Sequence, residues 1–145
     1  MARALDLILG VKRGELPPPP VADLVGFTLT DAEPGRAVIE LVAQRRHRNP
    51  MGTVHGGILC DIADAAMGMA YAGTLDEGET FTTLELKINF LKPVRAGALV
   101  ATGRVVKAGR TVGLVEADVT DEGGSLVAHA TSTCMTLRGE RAVGR

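Results

Sequence analysis

Residues 48–70 read RNPMGTVHGGILCDIADAAMGMA, and the rest of the chain is organised around this stretch. It begins as a polar loop and continues as a segment with almost no polar side chain after Asp64. Gly56 and Gly57 stand where the loop should become a helix, so the bare backbone N–H groups of the first turn can face a ligand. Asp64 lies about two turns into this mostly apolar segment, and carboxylates are rarely buried without a partner or a function. The stretch therefore indicates a site as well as a fold element.

Residues 57–72 predict one helix that is buried on most of its sides. Apolar side chains occupy almost every position rather than one stripe, and a helix with that pattern lies in a core instead of on a surface. Its alanines and glycines let neighbouring backbone approach closely. The apolar residues of this segment are Ile58, Leu59, Ile62, Ala63, Ala65, Ala66, Met67, Met69 and Ala70.

The flanking segments predict one short helix and a set of strands. Apolar residues at helical spacing predict an amphipathic helix over 2–13, and four consecutive prolines at 17–20 predict a stiff, extended connector. Patterns typical of strands, separated by glycine-containing turns, cover 24–29, 37–42, 81–91, 99–107, 111–120 and 125–137.

The segment 81–91 shows the clearest strand alternation. Strict alternation predicts Leu84, Leu86, Ile88 and Phe90 on one face, with Thr83 on the other.

This order of elements predicts an α+β fold with one antiparallel sheet around the apolar helix. We expect an N-terminal helix and proline-rich connector over 1–20, the main domain over 21–138 and a charged tail over 139–145. A sheet of this kind leaves open edges and apolar surface, so association into at least a dimer is expected.

Composition excludes several classes of function. A net charge of −1 and only 3% aromatic residues argue against nucleic-acid binding. No apolar run approaches the ~18–20 residues of a membrane span, and no secretory cleavage pattern follows the N-terminal apolar patch, so a cytoplasmic location is predicted. Cys60 and Cys134 lack metal-ligand spacing and are expected to act as small hydrophobic residues.

Residues 49–64, their spacing to Thr83 and the order of elements resemble the hotdog-fold acyl-CoA thioesterases of the phenylacetate-degradation (PaaI-like) type. The resemblance extends over about residues 21–137. It implies a hotdog fold, in which the antiparallel sheet wraps around the long helix, and homodimers or homotetramers with sites across the dimer interface. It also implies acyl-CoA as the substrate, with no metal and no cofactor besides the CoA of the substrate.

The same resemblance implies a role for each of five residues. Asn49 would place a water molecule or the catalytic carboxylate, and His55 would orient the thioester. The Gly56 N–H would polarise the thioester carbonyl. Asp64, supplied by the partner protomer, would act as general base or nucleophile, and the Thr83 hydroxyl would help hold the water.

Elementary chemistry agrees with these roles but also offers structural alternatives. Thioester hydrolysis needs donors aimed at the carbonyl oxygen and a base or nucleophile near the carbonyl carbon. Asn49, however, is also a good turn initiator before Pro50, and His55 could simply satisfy backbone groups at the helix entry. Asp64 could make a structural hydrogen bond, and Thr83 could reflect strand propensity alone.

Four basic residues are candidates for holding the phosphates of CoA, because they lie near predicted strand ends: Lys92, Arg95, Lys107 and Arg110. The alternative for each of them is a solvated sheet surface. His47 and His129 are expected to be structural.

Two other functions remain open on the same fold. One is a non-catalytic acyl-CoA-binding module, and the other, which the pattern of Asn49 and Asp64 fits less well, is a hydratase or dehydratase. The sequence leaves the acyl group undecided, because flexible methionines such as Met51, Met67 and Met69 suit both aryl and medium straight chains.

Overall fold

The computed structural model describes residues 2–145 and confirms an antiparallel sheet wrapped around a central helix. Met1, the first residue of the predicted segment 1–20, lies outside the described residues. The helices are α1 (Ala4–Lys12), α2 (Pro20–Val25) and α3 (Gly56–Ala72). The strands are β1 (Phe27–Glu33), β2 (Arg36–Ala43), β3 (Thr80–Phe90), β4 (Gly97–Ala108), β5 (Val112–Thr120) and β6 (Leu126–Leu137). Short 3-10 turns occupy Arg45–His47 and Gly139–Ala142.

The six strands form one sheet in the order β1-β2-β4-β5-β6-β3, and every neighbouring pair is antiparallel. Helix α3 follows β2 and precedes β3, so the chain crosses the concave face of the sheet between these two strands. Strand β3 lies at one edge of the sheet and pairs on one side only, with β6.

Small residues let α3 lie close to the sheet. A Cβ atom on Gly103 of β4 would be 2.3 Å from the backbone oxygen of Ala66, so only glycine fits there. Ala101, Ala117 and Ala130 on β4, β5 and β6 are at most 1% exposed. At these positions the helix packs against backbone and methyl groups, which lets it come close to the sheet.

One face of α3 remains uncovered in the protomer, and the expectation of a helix buried on most sides is wrong in this respect. The residues facing the sheet are buried, whereas Asp64 is exposed and Ala65, Gly68 and Met69 are only half-buried. Composition shows that a helix face is apolar, but it does not show what covers that face.

The predicted strand 24–29 is also wrong in its first part. Pro20 is the first residue of α2, a position where its fixed φ suits a helix and its missing N–H is not needed. Gly26 ends α2 with φ 93°, in the left-handed region, and β1 then begins at Phe27. The proline connector is therefore shorter than expected, because its last residue begins a helix.

A bulge in β3 overturns the predicted alternation of that strand. The pairing with β6 shifts register between Thr83 and Glu85, which leaves Leu84 as an extra residue and 53% exposed. Thr83 therefore points to the α3 side, the same side as Leu86 and Ile88. Strict alternation placed Thr83 on the opposite face, because it cannot detect an inserted residue.

The N-terminal helix packs onto the main body. Ala4, Ile8 and Leu9 of α1 lie against the core, and Lys12 forms an ion pair with Asp31 of β1 at 3.0 Å. Among residues 2–145, none of the helices has both the length and the apolar composition that a membrane crossing requires.

Candidate functional site

Asn49 organises the loop that leads into α3. Its Oδ1 accepts hydrogen bonds from the backbone N–H groups of Met51 (3.0 Å) and Thr53 (3.2 Å), and its Nδ2 donates to Thr53 Oγ1 at 2.9 Å. Gly52 adopts φ 86° in the tight turn between them, a conformation that favours glycine. The amide of Asn49 is therefore engaged within its own loop, which matches the structural alternative for this residue.

His55 is the N-cap of α3. Its Nδ1 accepts a hydrogen bond from the Gly57 N–H at 2.9 Å, so only one of the two glycine N–H groups remains available, contrary to the sequence expectation. The Gly56 N–H has no hydrogen-bond partner within residues 2–145. Because Nδ1 acts as the acceptor, the ring proton of neutral His55 is on Nε2 and can be donated outward.

A cavity of about 400 Å³ opens beside Gly56. Asn49, Thr53 and Val54 of the loop line one side, and residues 90–94 at the end of β3 line the other. A Cβ on Gly56 would lie 2.9 Å from the ring of Phe90, so the glycine lets the aromatic ring approach the helix terminus. Sequence reasoning missed Phe90 as a wall of this site; the bare glycine at the helix entry was the signal available.

Asp64 lies in a second cavity, of about 420 Å³, on the uncovered side of α3. Thr83 and Asp61 are its other polar lining residues, and the remaining lining is apolar or glycine. Partial burial in this cavity raises the pKa of the Asp64 carboxyl, and the negative charge of Asp61 raises it further. The cavity is open at its mouth, so Asp64 keeps a solvent-exposed side in the protomer.

The Thr83 hydroxyl sits between this cavity and the core. Thr83 pairs with Cys134 across β3 and β6, and burial raises the pKa of the Cys134 thiol while a side-chain hydrogen bond with Thr83 lowers it in part. Cys134 is 1% exposed and, like Cys60, is a free thiol. The pairing with β6 thus fixes the position of Thr83, which lines the Asp64 cavity.

The two cavities are separate within one protomer and share no lining residue. Asp64 follows Gly56 by eight residues of one continuous helix, which separates them by about 12 Å along the axis. A single carbonyl group cannot lie within about 3 Å of both, the distance that a donor and a nucleophile need. The structure therefore brings Asp64 and Thr83 together, and Asn49, His55 and Gly56 together, but not the two groups.

The four candidate basic residues fall into two pairs. Lys92 lines the Gly56 cavity but is already paired with Asp121, whereas exposed Arg95 extends over Gly52 and forms no ion pair within residues 2–145. Lys107 lies near the far end of β4, and Arg110 lies in the turn between β4 and β5. One protomer thus places only Lys92 and Arg95 near the helix N-terminus.

His47 and His129 have structural partners. The Nδ1 of His47, which is 4% exposed, accepts from the Gln44 N–H at 2.9 Å, and its Nε2 donates to the Val25 carbonyl at 2.7 Å. His129 pairs with Asp118 at 2.7 Å. These contacts agree with the expectation that neither histidine belongs to the site.

The family model of the thioesterase superfamily matches residues 51–128, which include α3 and most of the sheet. The chain belongs to the thioesterase superfamily. This membership supports thioester hydrolysis as the class of reaction, and the matched segment holds His55, Gly56, Asp64 and Thr83.

Similar proteins come from several organisms. A candidate esterase of Saccharolobus solfataricus is 38% identical over 106 residues, 73% of this chain and 75% of the relative. Acyl-coenzyme A thioesterase 13 of Homo sapiens is 31% identical over 109 residues, 74% of this chain and 77% of the relative. A solved structure from Ralstonia eutropha JMP134, described as a candidate thioesterase and phenylacetic acid degradation-related protein, has a TM-score of 0.81 at 35% identity and covers 88% of this chain and 98% of that one.

Proposed function

We propose that this thioesterase-superfamily member is an acyl-CoA thioesterase that hydrolyses aryl- or medium-chain acyl-CoA to the free acid and CoA. The observation that carries the proposal is the Asp64 carboxylate, with its raised pKa, in one cavity with the Thr83 hydroxyl and Asp61 and with an apolar remainder of the lining. The resemblance to acyl-coenzyme A thioesterase 13 supports acyl-CoA as the substrate. The likeness to the phenylacetic acid degradation-related protein supports the PaaI-like type.

In the proposed reaction, the Gly56 N–H donates a hydrogen bond to the thioester oxygen, where negative charge builds up. Asp64 either takes a proton from water, whose oxygen then attacks the carbonyl carbon, or attacks that carbon itself to form an anhydride that water hydrolyses. The carbon–sulfur bond breaks, and the CoA thiolate takes a proton to leave as the thiol. Thr83 holds the water, while Asn49 and His55 position the thioester end.

The complete site in this proposal is shared by two protomers of a homodimer, or of a homotetramer built from such dimers. The axial separation of Gly56 and Asp64 on one helix supports this arrangement. So does the apolar surface left open around edge strand β3, where Met51, Phe90 and Leu91 are 76%, 55% and 56% exposed. A partner on this surface would bring a second Asp64 toward the first protomer's Gly56.

The basic residues and the location of the enzyme complete the proposal. Arg95 and Lys92 are the candidates nearest the Gly56 cavity for the CoA phosphates, and Lys107 and Arg110 remain candidates at the far end of the sheet. We also propose a cytoplasmic location for the enzyme.

A thiol-release assay over a panel of aryl and straight-chain acyl-CoA thioesters tests the proposed function. We expect free CoA thiol to appear at a rate proportional to enzyme concentration. Calorimetric binding of acyl-CoA without thiol release would instead identify a binding module. A change in double-bond absorbance with enoyl-CoA, again without thiol release, would identify a hydratase.

Replacing Asp61 by asparagine is expected to move the acid limb of the pH profile of kcat/KM to lower pH. The charge of Asp61 raises the pKa of Asp64, so its removal lets Asp64 ionise at lower pH while burial still keeps the pKa raised. The profile of Asp23→Asn, which removes an exposed carboxylate on α2, should match the wild type. An unmoved limb in Asp61→Asn would contradict Asp64 as the titrating group.

The role of His55 is tested by comparing His55→Ala with His55→Asn. Alanine removes the cap on the Gly57 N–H and should lower stability by about 1 kcal/mol, whereas asparagine is itself a good N-cap and should retain most of it. If His55 also orients the thioester, His55→Asn should remain folded but lose kcat/KM. Full activity in His55→Asn would reduce the role of His55 to capping.

A further inference from the structure

The far wall of the Asp64 cavity comes from the N-terminal helix rather than from the sheet. Ala4, Leu7 and Ile8 of α1 line the cavity opposite Asp64 and Thr83. Between these ends, the floor is made by α3 from Asp61 to Ala72, a length of about 16 Å at the helical rise. The cavity is therefore a trough that is long relative to its volume of about 420 Å³.

In the middle of the trough, the Phe81 ring packs directly on Gly68 and closes the space above this residue. Gly68 faces the Phe81 ring, and a Cβ on Gly68 would be 3.2 Å from that ring. Phe81 is fixed in turn by an edge-to-face contact with buried Tyr71, with 5.6 Å between the ring centroids. A long, apolar trough suits an extended alkyl chain better than a broad ring system.

A third cavity, of about 810 Å³, lies against α1 on the side of the C-terminal segment. It is open to solvent and is lined by Gly78, Glu79 and Thr80 before and within β3 and by residues of the C-terminal segment from Gly139 to Arg145. Ala4 and Leu7 are the residues that line both cavities. The side chains of these two residues form the partition between the Asp64 cavity and this one. Leu7 contributes the larger part of it, because Ala4 has only a methyl group.

We propose that Leu7 is a specificity-determining residue that ends the acyl trough and restricts the enzyme to medium-length straight-chain acyl groups. This inference rests on the proposed thioesterase function. The thioester would sit at Asp64, and its alkyl chain would extend along Gly68 and Met69 until its terminal methyl meets Leu7. Removing the Leu7 side chain joins the trough to the larger cavity and gives longer chains a place to extend.

Leu7 is suited to a test by truncation, because it is 50% exposed and its loss leaves the core intact. Each additional methylene that becomes buried should improve kcat/KM about fourfold. Leu7→Ala is therefore expected to raise the ratio of kcat/KM for palmitoyl-CoA over decanoyl-CoA more than about tenfold. Ala4→Leu, which thickens the same partition, should shift the preference toward hexanoyl-CoA.

The matched control is Leu5→Ala, which makes the same change on the same helix at a half-buried residue that lines neither cavity. Its chain-length profile should equal that of the wild type, and circular dichroism should show all the variants folded. If wild-type enzyme hydrolyses the series but Leu7→Ala and Leu5→Ala give the same profile, the role of Leu7 is wrong and the thioesterase function stands. If wild-type enzyme releases no thiol from any member of the series, the proposed function itself is wrong.

Discussion

Replacing Asp64 by asparagine is expected to lower kcat for acyl-CoA hydrolysis at least about 100-fold, the low end of what a general base contributes. Asparagine keeps the shape of the side chain but can neither accept the proton of the attacking water nor form an acyl anhydride. The loss should be seen as a reduced rate of thiol release at saturating acyl-CoA. Binding of acyl-CoA, measured by calorimetry, should persist, since the apolar trough is unchanged.

The same substitution is expected to stabilise the folded protein at neutral pH. The pKa of Asp64 is raised by burial and by Asp61, so the folded state binds this proton more tightly than the unfolded state does. The free energy of unfolding therefore falls as pH rises from the pKa of Asp64 in the unfolded state to its higher pKa in the folded state. It stays lower at every pH above that range. Asp64→Asn should show a higher Tm than wild type at neutral pH, and this advantage should disappear below the ordinary carboxyl range.

The control for both effects is Asp23→Asn, because Asp23 is an exposed carboxylate on α2 outside both site cavities. Its turnover and Tm should stay near those of wild type. Undiminished thiol release by Asp64→Asn would refute the proposed mechanism. A lower Tm at neutral pH would instead show that the carboxylate has a stabilising partner.

Replacing Gly103 by alanine is expected to destabilise the protein by about 3 kcal/mol or more, at the upper end of what overpacking causes. The new methyl group would lie 2.3 Å from the Ala66 oxygen and 2.7 Å from the Met67 nitrogen, and both atoms belong to the backbone of α3. A backbone cannot rotate away as a flexible side chain can, so the helix must move from the sheet. For a domain of this size, that loss corresponds to roughly 6–12 °C in Tm.

Gly123→Ala provides the matched control. A Cβ at Gly123 would approach nothing closer than 3.5 Å, and its φ is not in the left-handed region. Urea titrations of the two variants should therefore give a clearly lower midpoint for Gly103→Ala and an almost unchanged one for Gly123→Ala. Equal midpoints would show that α3 is not seated on β4 as described.

Local patterns in the sequence predicted most of the fold because short-range chemistry decides it. The apolar run after Gly56 forms α3, and the glycine-containing turns join β4 to β5 and β5 to β6 as hairpins. The segment 20–26 shows the limit of that reasoning. Pro20 and Gly26 carried helix start and stop signals, but hydrophobicity from Leu24 onward suggested a strand.

The candidate site was predicted as a set of residues but not as a geometry. Residue types indicated Asp64 as the candidate base or nucleophile and Gly56 as the candidate donor, and these roles stay predictions. The direction of Thr83 depended on the bulge at Leu84, which comes from pairing between β3 and β6 and leaves no mark in the alternation of β3 itself. The cap of His55 on Gly57 likewise depends on a side-chain rotation that spacing does not specify.

The sequence by itself determined the elements, the apolar character of α3 and the residue types at its N-terminus, because these follow from local propensities and spacing. Only the tertiary structure decided which face of α3 stays open, which way Thr83 points, and that α1 closes the trough beyond Asp64. These features arise from contacts between segments far apart in the chain. They depend on which surfaces of these segments pack together, and a local sequence pattern does not specify that packing.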